Sequence, residues 1–548
     1  MTTAAARLEI SDTLLERRSE GERAPGLSDL FVPLDDLLLR GGDQRLALDP
    51  ASRLNAYGCG PMPAPDTLNF SSSTASPISA RADERAGFAR AGLMRLAIAH
   101  GLEHAFDMRL EEMREELRAH LELAASDADI IFSPSGTDSQ LHALFLARGL
   151  FGSAPMTIVV GADQTGSGTI HTARGRHFSA LTAGGRRVAK DAPIAGLSGD
   201  SVALPLLAGM PDFAQGPEDL AARAECDSAV LDAIEAAVAS GARVLLQIMD
   251  ASKLGWRAPG DACLEEIAAR WPRQVRIVVD ACQMRLSRRR LRNYLDRGYM
   301  VLITGSKYFG GPAFSGALLV PRAISRALDT GEGIAPGLAD YASRSDWPQS
   351  WTALRSRFAS RPNLGQWLRW EAALAEIGTY YQVPAGFRTL ALREFRATIE
   401  SLIALSPALR PLARPPSGGT DDEEFADATI FPFFVDRNRS LLSADGCRRL
   451  HRALASDLRG VIEGTKADRD LAGQRCLIGQ PVAIAHRDGL PVGVLRLCIG
   501  ARLVTEAWSS DPRRARQNLQ RERDHVASVV AKIELLLAHA GPMEFAEQ

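Results

Sequence analysis

The residues best suited to chemistry stand at the ends of short apolar runs. Leu302-Ile303-Thr304-Gly305-Ser306-Lys307-Tyr308-Phe309-Gly310-Gly311-Pro312 sets one lysine among glycines and aromatic rings, directly after such a run. Burial there lowers the pKa of an ammonium, and the freed amine condenses with carbonyl groups. A surface lysine is the plain alternative, and the density of glycines and aromatic rings argues against it. The segment is not a Walker A loop, since G-x-x-x-x-G-K-[ST] is absent. Val278-Val279-Asp280-Ala281-Cys282-Gln283 ends another run on a carboxylate. In a low-dielectric position that group needs a cation, such as a protonated ring nitrogen, or serves as the cap of a following helix. Phe132-Ser133-Pro134-Ser135-Gly136-Thr137-Asp138-Ser139-Gln140 reads as strand end, small-residue turn and helix start. Backbone N–H groups at such a start bind phosphate, Gly136 permits close approach, and Ser135, Thr137 and Ser139 add hydroxyls. The same residues also make an ordinary helix cap.

These loops need elements that hold them together. Ile130-Ile131-Phe132, Thr157 to Val160, Val244 to Ile248, Val275 to Val279 and Met300 to Ile303 are short, apolar and rich in β-branched residues. Helical patterns at Ser139 to Phe151, Ala229 to Ala239, Leu264 to Trp271 and Arg288 to Arg297 alternate with them. That alternation predicts an α/β fold with a mainly parallel sheet covered on both faces, and ligands outside the strands' carboxyl ends. Gly87 to Leu123 reads as one helix, a further helical region runs to Tyr381, and Asp511-Pro512 caps a last helix to Ala540. The chain divides into an N-terminal extension (1–50), a segment and helix packed on the site (51–125), a large domain with an interdomain helix (126–383) and a small α+β domain (384–548). Met249-Asp250-Ala251-Ser252-Lys253-Leu254-Gly255-Trp256 is a fourth strand-end loop, with Ser252 and then Asp250 its candidate polar residues.

Asp280 and Lys307 stand 27 residues apart with Gln283 between them, and Ser306-Lys307 runs on to Gly311-Pro312, Gly316 and Leu318. This pattern resembles the fold-type-I pyridoxal-phosphate (PLP) enzymes, and within them the class V aminotransferase and cysteine desulfurase group. The resemblance covers roughly residues 70–380. It implies a seven-stranded-type sheet, a PLP cofactor bound as an imine on Lys307, and Asp280 holding the ring nitrogen. It implies further cofactor contacts from Ser135, Gly136, Thr137, Gln164, Ser252, Gln283 and Ser306. It also implies a homodimer and an amino acid or amine substrate handled through an external aldimine. Arg496, in Gly493-Val494-Leu495-Arg496-Leu497-Cys498, matches the strand whose arginine clamps a substrate carboxylate, a role its planar fork suits. A surface arginine on an edge strand is the alternative.

The chain departs from that group in places. The ring-stacking histidine expected after 157–160 is replaced by Gly161-Ala162-Asp163-Gln164, with His171 further on, so either Gln164 or His171 covers the ring. No cysteine lies between Lys307 and Gly446, where a desulfurase needs one. Cys59 is a small turn residue or part of a segment covering the site. Amino-group transfer is the expected outcome; a lyase or carbon–carbon bond-forming enzyme is the alternative, and a non-catalytic interaction protein a third. The 548 residues carry a net charge of −2, so neither nucleic acid nor an anionic membrane is an expected partner. The basic run Arg288-Arg289-Arg290-Leu291-Arg292 reads as a solvated helix face, and His486-Arg487-Asp488 lacks the other elements of a kinase. Seven scattered cysteines without metal-ligand spacing, no signal-like apolar start and no run near ~20 apolar residues predict a soluble cytoplasmic protein without a metal.

Overall fold

The computed structural model describes residues 25–206, 220–328, 335–412, 424–437, 439–484 and 491–539. Most of the N-terminal extension's first half, His486-Arg487-Asp488 and parts of the Gly331–Gly337 and Thr420–Asp427 stretches lie outside them. The short strand β1 (Leu68–Phe70) comes first in the chain. The strands β2 (Ala128–Ser133), β3 (Met156–Val160), β4 (Ser201–Leu204), β5 (Val244–Met249), β6 (Val275–Asp280), β7 (Met300–Thr304) and β8 (Gly316–Pro321) then build one sheet. Its order is β2-β8-β7-β6-β5-β3-β4, and only β8 runs antiparallel to its neighbours. Residues of β2, β5, β7 and β8 are buried along their whole length, as strands covered by helices on both faces must be. The expected mainly parallel, seven-stranded sheet is therefore present. Five of its strands coincide with the apolar runs; β4 is an edge strand with only four residues, too short to stand out in the sequence.

The helix expected over Gly87 to Leu123 is two, Ala80–His100 and Leu102–Leu121, broken at Gly101 with φ +82. Glycine reaches that backbone region without the clash a Cβ introduces. Helix Pro512–Ala538 starts as read, with Asp511 Oδ1 accepting from Arg513 N at 2.9 Å.

A second sheet follows, made of β9 (Leu409–Pro411), β10 (Ile430–Arg437), β11 (Ser440–Leu441), β12 (Cys476–Ile484) and β13 (Val492–Cys498). Its order is β1-β12-β13-β10-β11, with β9 on β10. β1 pairs parallel with β12, Leu68 opposite Cys476 and Phe70 opposite Ile478, so an early segment adds a strand to a late sheet. Arg496 sits on β13, between β12 and β10, and is only 2% exposed. The edge-strand alternative for it is thereby overturned. Among the described residues no helix is long and apolar enough to cross a membrane.

Helix Leu364–Gln382 ties the N-terminal helices to the large sheet through one carboxylate. Glu371 is 0% exposed and accepts from Arg85 Nε at 3.0 Å, Arg109 Nε at 2.6 Å and Trp367 Nε1 at 3.0 Å. Without Glu371, Arg85 keeps Glu116 at 2.9 Å and Arg109 keeps Glu112 at 2.7 Å, so part of the network survives and the loss is mainly of its buried hydrogen bonds. Glu371→Ala is expected to lower unfolding stability by roughly 1–3 kcal/mol, read from the denaturant midpoint. A loss below about 1 kcal/mol would show that the arginines find water instead.

Candidate functional site

Parallel pairing sets the register of the site. Met249 of β5 stands beside Asp280 of β6, and Asp280 beside Leu302 of β7, so the loops that follow open on one edge. The lysine loop is held flat. Gly305 N donates to Ser315 O at 3.0 Å and Gly311 N to Gly305 O at 2.9 Å. A Cβ on Gly305 or Gly311 would meet Ala373 Cβ at 2.5 and 2.8 Å, so both glycines let the loop lie on helix Leu364–Gln382. Tyr308 is fully buried, its hydroxyl on Tyr380 Oη at 2.9 Å, and this anchors the residue next to Lys307. Lys307 itself is partly buried, and its Nζ makes no hydrogen bond or ion pair among the described residues. Ser306 is buried beside it.

Asp280 Oδ1 accepts from Cys282 N at 3.1 Å, which steadies the turn after β6. The charges of Asp280 and Lys307 both bear on Cys282, whose thiol burial holds well above its ordinary range. That thiol is packing rather than a nucleophile. A Cβ on Gly136 would lie 2.6 Å from Cys282 Sγ and 3.4 Å from Thr304 Cγ2, so the helix start at Gly136–Phe151 meets the ends of β6 and β7. Ser135 caps this helix, accepting from Asp138 N at 3.3 Å. The cap reading of the loop therefore holds, and the first turn of the helix lies at the sheet edge. Burial, with the field of Asp43, pushes the Asp138 carboxyl up to about 7.

Residues not singled out in the sequence complete this end. Arg45 reaches Ser135 Oγ at 3.3 Å and Thr137 Oγ1 at 3.4 Å, braced by Asp43 at 2.6 Å and by the Phe314 ring. Cys59 packs beside Phe314 with Leu46, Ala75 and Ala313, its thiol pushed up to about 12 by burial. The segment around it therefore covers the lysine loop, and Cys59 is a packed small residue within it.

The opposite side is cationic. Arg496 donates Nη1 to Lys253 O at 2.9 Å, Nε to Gln480 O at 3.1 Å and Nη2 to Thr74 Oγ1 at 3.3 Å. Among the described residues no carboxylate pairs with it, and burial pulls its pKa down to about 10. Burial also lowers Lys253 to about 8, helped by the charges of Arg496 and Lys307, with Asp163 opposing. Lys253 N donates to Gln164 O at 3.4 Å. The Gln164 side chain is 2% exposed, and neither its Oε1 nor its Nε2 has a partner. His171, by contrast, bonds Asp191 at 2.9 Å in a partly exposed position. Of the two residues considered for the ring, Gln164 is the one with unused polar atoms.

Ser252 Oγ accepts from Leu254 N at 3.1 Å and Trp256 N at 3.0 Å, so it shapes its turn and keeps one hydroxyl proton to give. Asp250 turns away, to Tyr294 Oη and Arg290 Nε, each at 2.9 Å. Gln283 Nε2 donates to Ser73 O at 3.0 Å, and Arg285 bonds Ile499 O at 2.7 Å and Ser72 Oγ at 2.8 Å. The basic run is a solvated face only in part: Arg289 and Arg292 are exposed, while Arg290 serves Asp250 and Arg288 lies over the Tyr381 ring and pairs with Glu122.

No family model and no curated protein matches the chain. Solved structures share its outline. The cysteine desulfurase CsdA from Escherichia coli is 14% identical over 86% of this chain and 94% of its own, at TM-score 0.47. The cystine C-S lyase C-DES is 16% identical over 84% and 98%, at 0.44. Oryza sativa TDC, solved with PLP and tryptamine, is 14% identical over 86% and 84%, at 0.45. Likeness at this level leaves the functional reading to the chain's own side chains.

The Lys253 amine is expected to titrate near pH 8, against 10.5 for a free lysine. NMR of dimethylated lysines, assigned with Lys253→Arg, reads this directly. A value above about 10, the ordinary lysine range, would place the amine in open solvent.

Proposed function

We propose that the chain is a PLP-dependent enzyme acting on an amino acid, with amino-group transfer as its reaction. The observation that carries this reading is the meeting, at one sheet edge, of an unpartnered Lys307 amine, the Asp280 carboxylate and the Gly136 helix start. The residues present fit the cofactor. Gly136 lets the helix start pack onto Cys282 and Thr304 at the strand ends, where Ser135, Thr137 and the first N–H groups of the helix would hold a phosphate. Arg45 adds a cation there. Gln164 has an amide without partners to lay against a ring, and Ser252 has a hydroxyl proton for a ring oxygen. Lys307 Nζ would hold the cofactor covalently, and Asp280 would keep its ring nitrogen protonated. Bound in this way, PLP supplies an electron sink for charge that develops at the substrate's Cα.

The chain's own residues supply the rest. Lys307 Nζ is the amine placed to take and return the Cα proton. Arg496, whose Nε and Nη2 donors are given to Gln480 O and Thr74 Oγ1 and one Nη1 donor to Lys253 O, would attract a substrate carboxylate through its charge and its remaining Nη1 donor. Gln283 keeps the Ser73 strip beside the site. Sulfur transfer is disfavoured because no cysteine stands between Lys307 and Gly446, and the Cys59 and Cys282 thiols are held protonated by burial.

Nitrogen-15 from a labelled amino acid should appear in a 2-oxo acid acceptor in the presence of the PLP-loaded protein. Asp280→Asn should still bind PLP yet slow exchange of the Cα proton with solvent by at least about a hundredfold, a typical loss when proton handling fails. Unchanged exchange in that variant would reduce Asp280 to the turn-capping role it has through Cys282 N.

A further inference from the structure

Lys253 is not used by the reading just given. It follows β5 in the loop whose backbone carbonyl Arg496 grips at 2.9 Å, and the charge of Lys307 reaches it as well. Three cationic side chains thus share one side of the site. Of the carboxylates nearby, Asp250 is paired with Arg290 and Tyr294, and Asp280 lies across the site at the β6 turn; Asp163, which accepts from Leu206 N at 2.7 Å, is the one whose charge favours the Lys253 ammonium. Lys253 Nζ has no hydrogen bond or ion pair among the described residues, and Gln164, whose backbone carbonyl accepts from Lys253 N at 3.4 Å, has a buried side-chain amide unpartnered on both atoms.

An unpaired ammonium in a poorly solvated place is costly, and nearby like charges raise that cost. Asp163 offsets part of that cost through its field, without an ion pair to Lys253. With an α-carboxylate near Arg496 and Lys307 covalently engaged, Lys253 remains the ammonium without a paired anion. A further carboxylate on the substrate would answer it, with the Gln164 Nε2 as an extra donor.

Given an amino acid as the substrate of this site, we propose that it is a dicarboxylic one, whose side-chain carboxylate pairs with Lys253 Nζ. The depressed pKa of Lys253 agrees: an anion brought against it would stabilise the charged form that burial and its neighbours now disfavour.

Calorimetry with succinate and its monoamide, on protein with and without PLP, tests the pairing independently of turnover. The wild-type chain should bind the dianion at least about tenfold more tightly than the monoanion, as a charge-assisted pair worth more than ~1.4 kcal/mol requires. Lys253→Met should bring the two within about twofold, and Lys253→Arg should restore part of the preference. Circular dichroism of Lys253→Met and Lys253→Gln checks the fold, and agreement between the two guards against a packing effect of methionine. In the PLP-loaded protein, glutamate should perturb the cofactor spectrum at lower concentration than glutamine, and Lys253→Met should abolish that difference. Equal affinity for succinate and its monoamide in the wild type, or a preference that survives Lys253→Met, would overturn the assignment. Failure to take up PLP would instead count against the cofactor, because succinate binding without PLP still reads Lys253.

Discussion

Two guanidinium groups, those of Arg285 and Arg496, are buried without a carboxylate partner among the described residues, and such charges must be answered by hydrogen bonds. Their answers come from far apart in the chain. Arg496 leaves β13 to meet Gln480 O on β12, Lys253 O in the large-sheet loop and Thr74 in the early segment. Arg285, just beyond β6, crosses the other way to Thr429, Ile499 O and Ser72. The two sheets and the 71–76 strip are therefore pinned to one another by donors with no alternative partner. The β1–β12 pairing extends the same joint as a backbone ladder. Shortening Arg496 would leave Lys253 O and Gln480 O without this donor, whereas Ile499 O would keep Ser72 Oγ at 3.1 Å if Arg285 were lost.

This bracing also sets the electrostatics. Because Arg496 spends its donors on carbonyls and a hydroxyl, its charge is left uncancelled and acts on Lys253. The phosphate end has a different balance, with Arg45 opposed by Asp43 and by an Asp138 carboxyl that burial pushes up to about 7. The Arg45 end is thus internally balanced, and the Arg496–Lys253 side carries the excess positive charge. The lysine loop lies between them, flattened on helix Leu364–Gln382 by glycines that no larger residue could replace without moving Ala373.

Much of this was legible in the sequence where the cause is local. Five apolar runs became strands, and Lys307, Asp280 and the Gly136 turn were visible because each follows its own strand by a few residues. What was not legible depends on distant partners. Nothing around Arg45 shows that it reaches Ser135 and Thr137, and nothing in the 288–292 run shows that Arg290 answers Asp250 while Arg288 lies on Tyr381. The break at Gly101 was a missed local signal, since the glycine interrupts the helical pattern between His100 and Leu102. Arg496 and a surface arginine look alike in sequence, because burial of β13 comes from β10 and β12 on either side. Lys253 carries no motif that marks it, because its surroundings come from Arg496 on a distant strand.

The central claim is that Lys307, rather than Lys253, holds the cofactor. Reducing the PLP-loaded protein with borohydride and mapping its peptides by mass measures this most directly. The account predicts a single phosphopyridoxyl group on the peptide containing Lys307, unchanged in Lys253→Met. A label on Lys253, or on neither lysine, would contradict it.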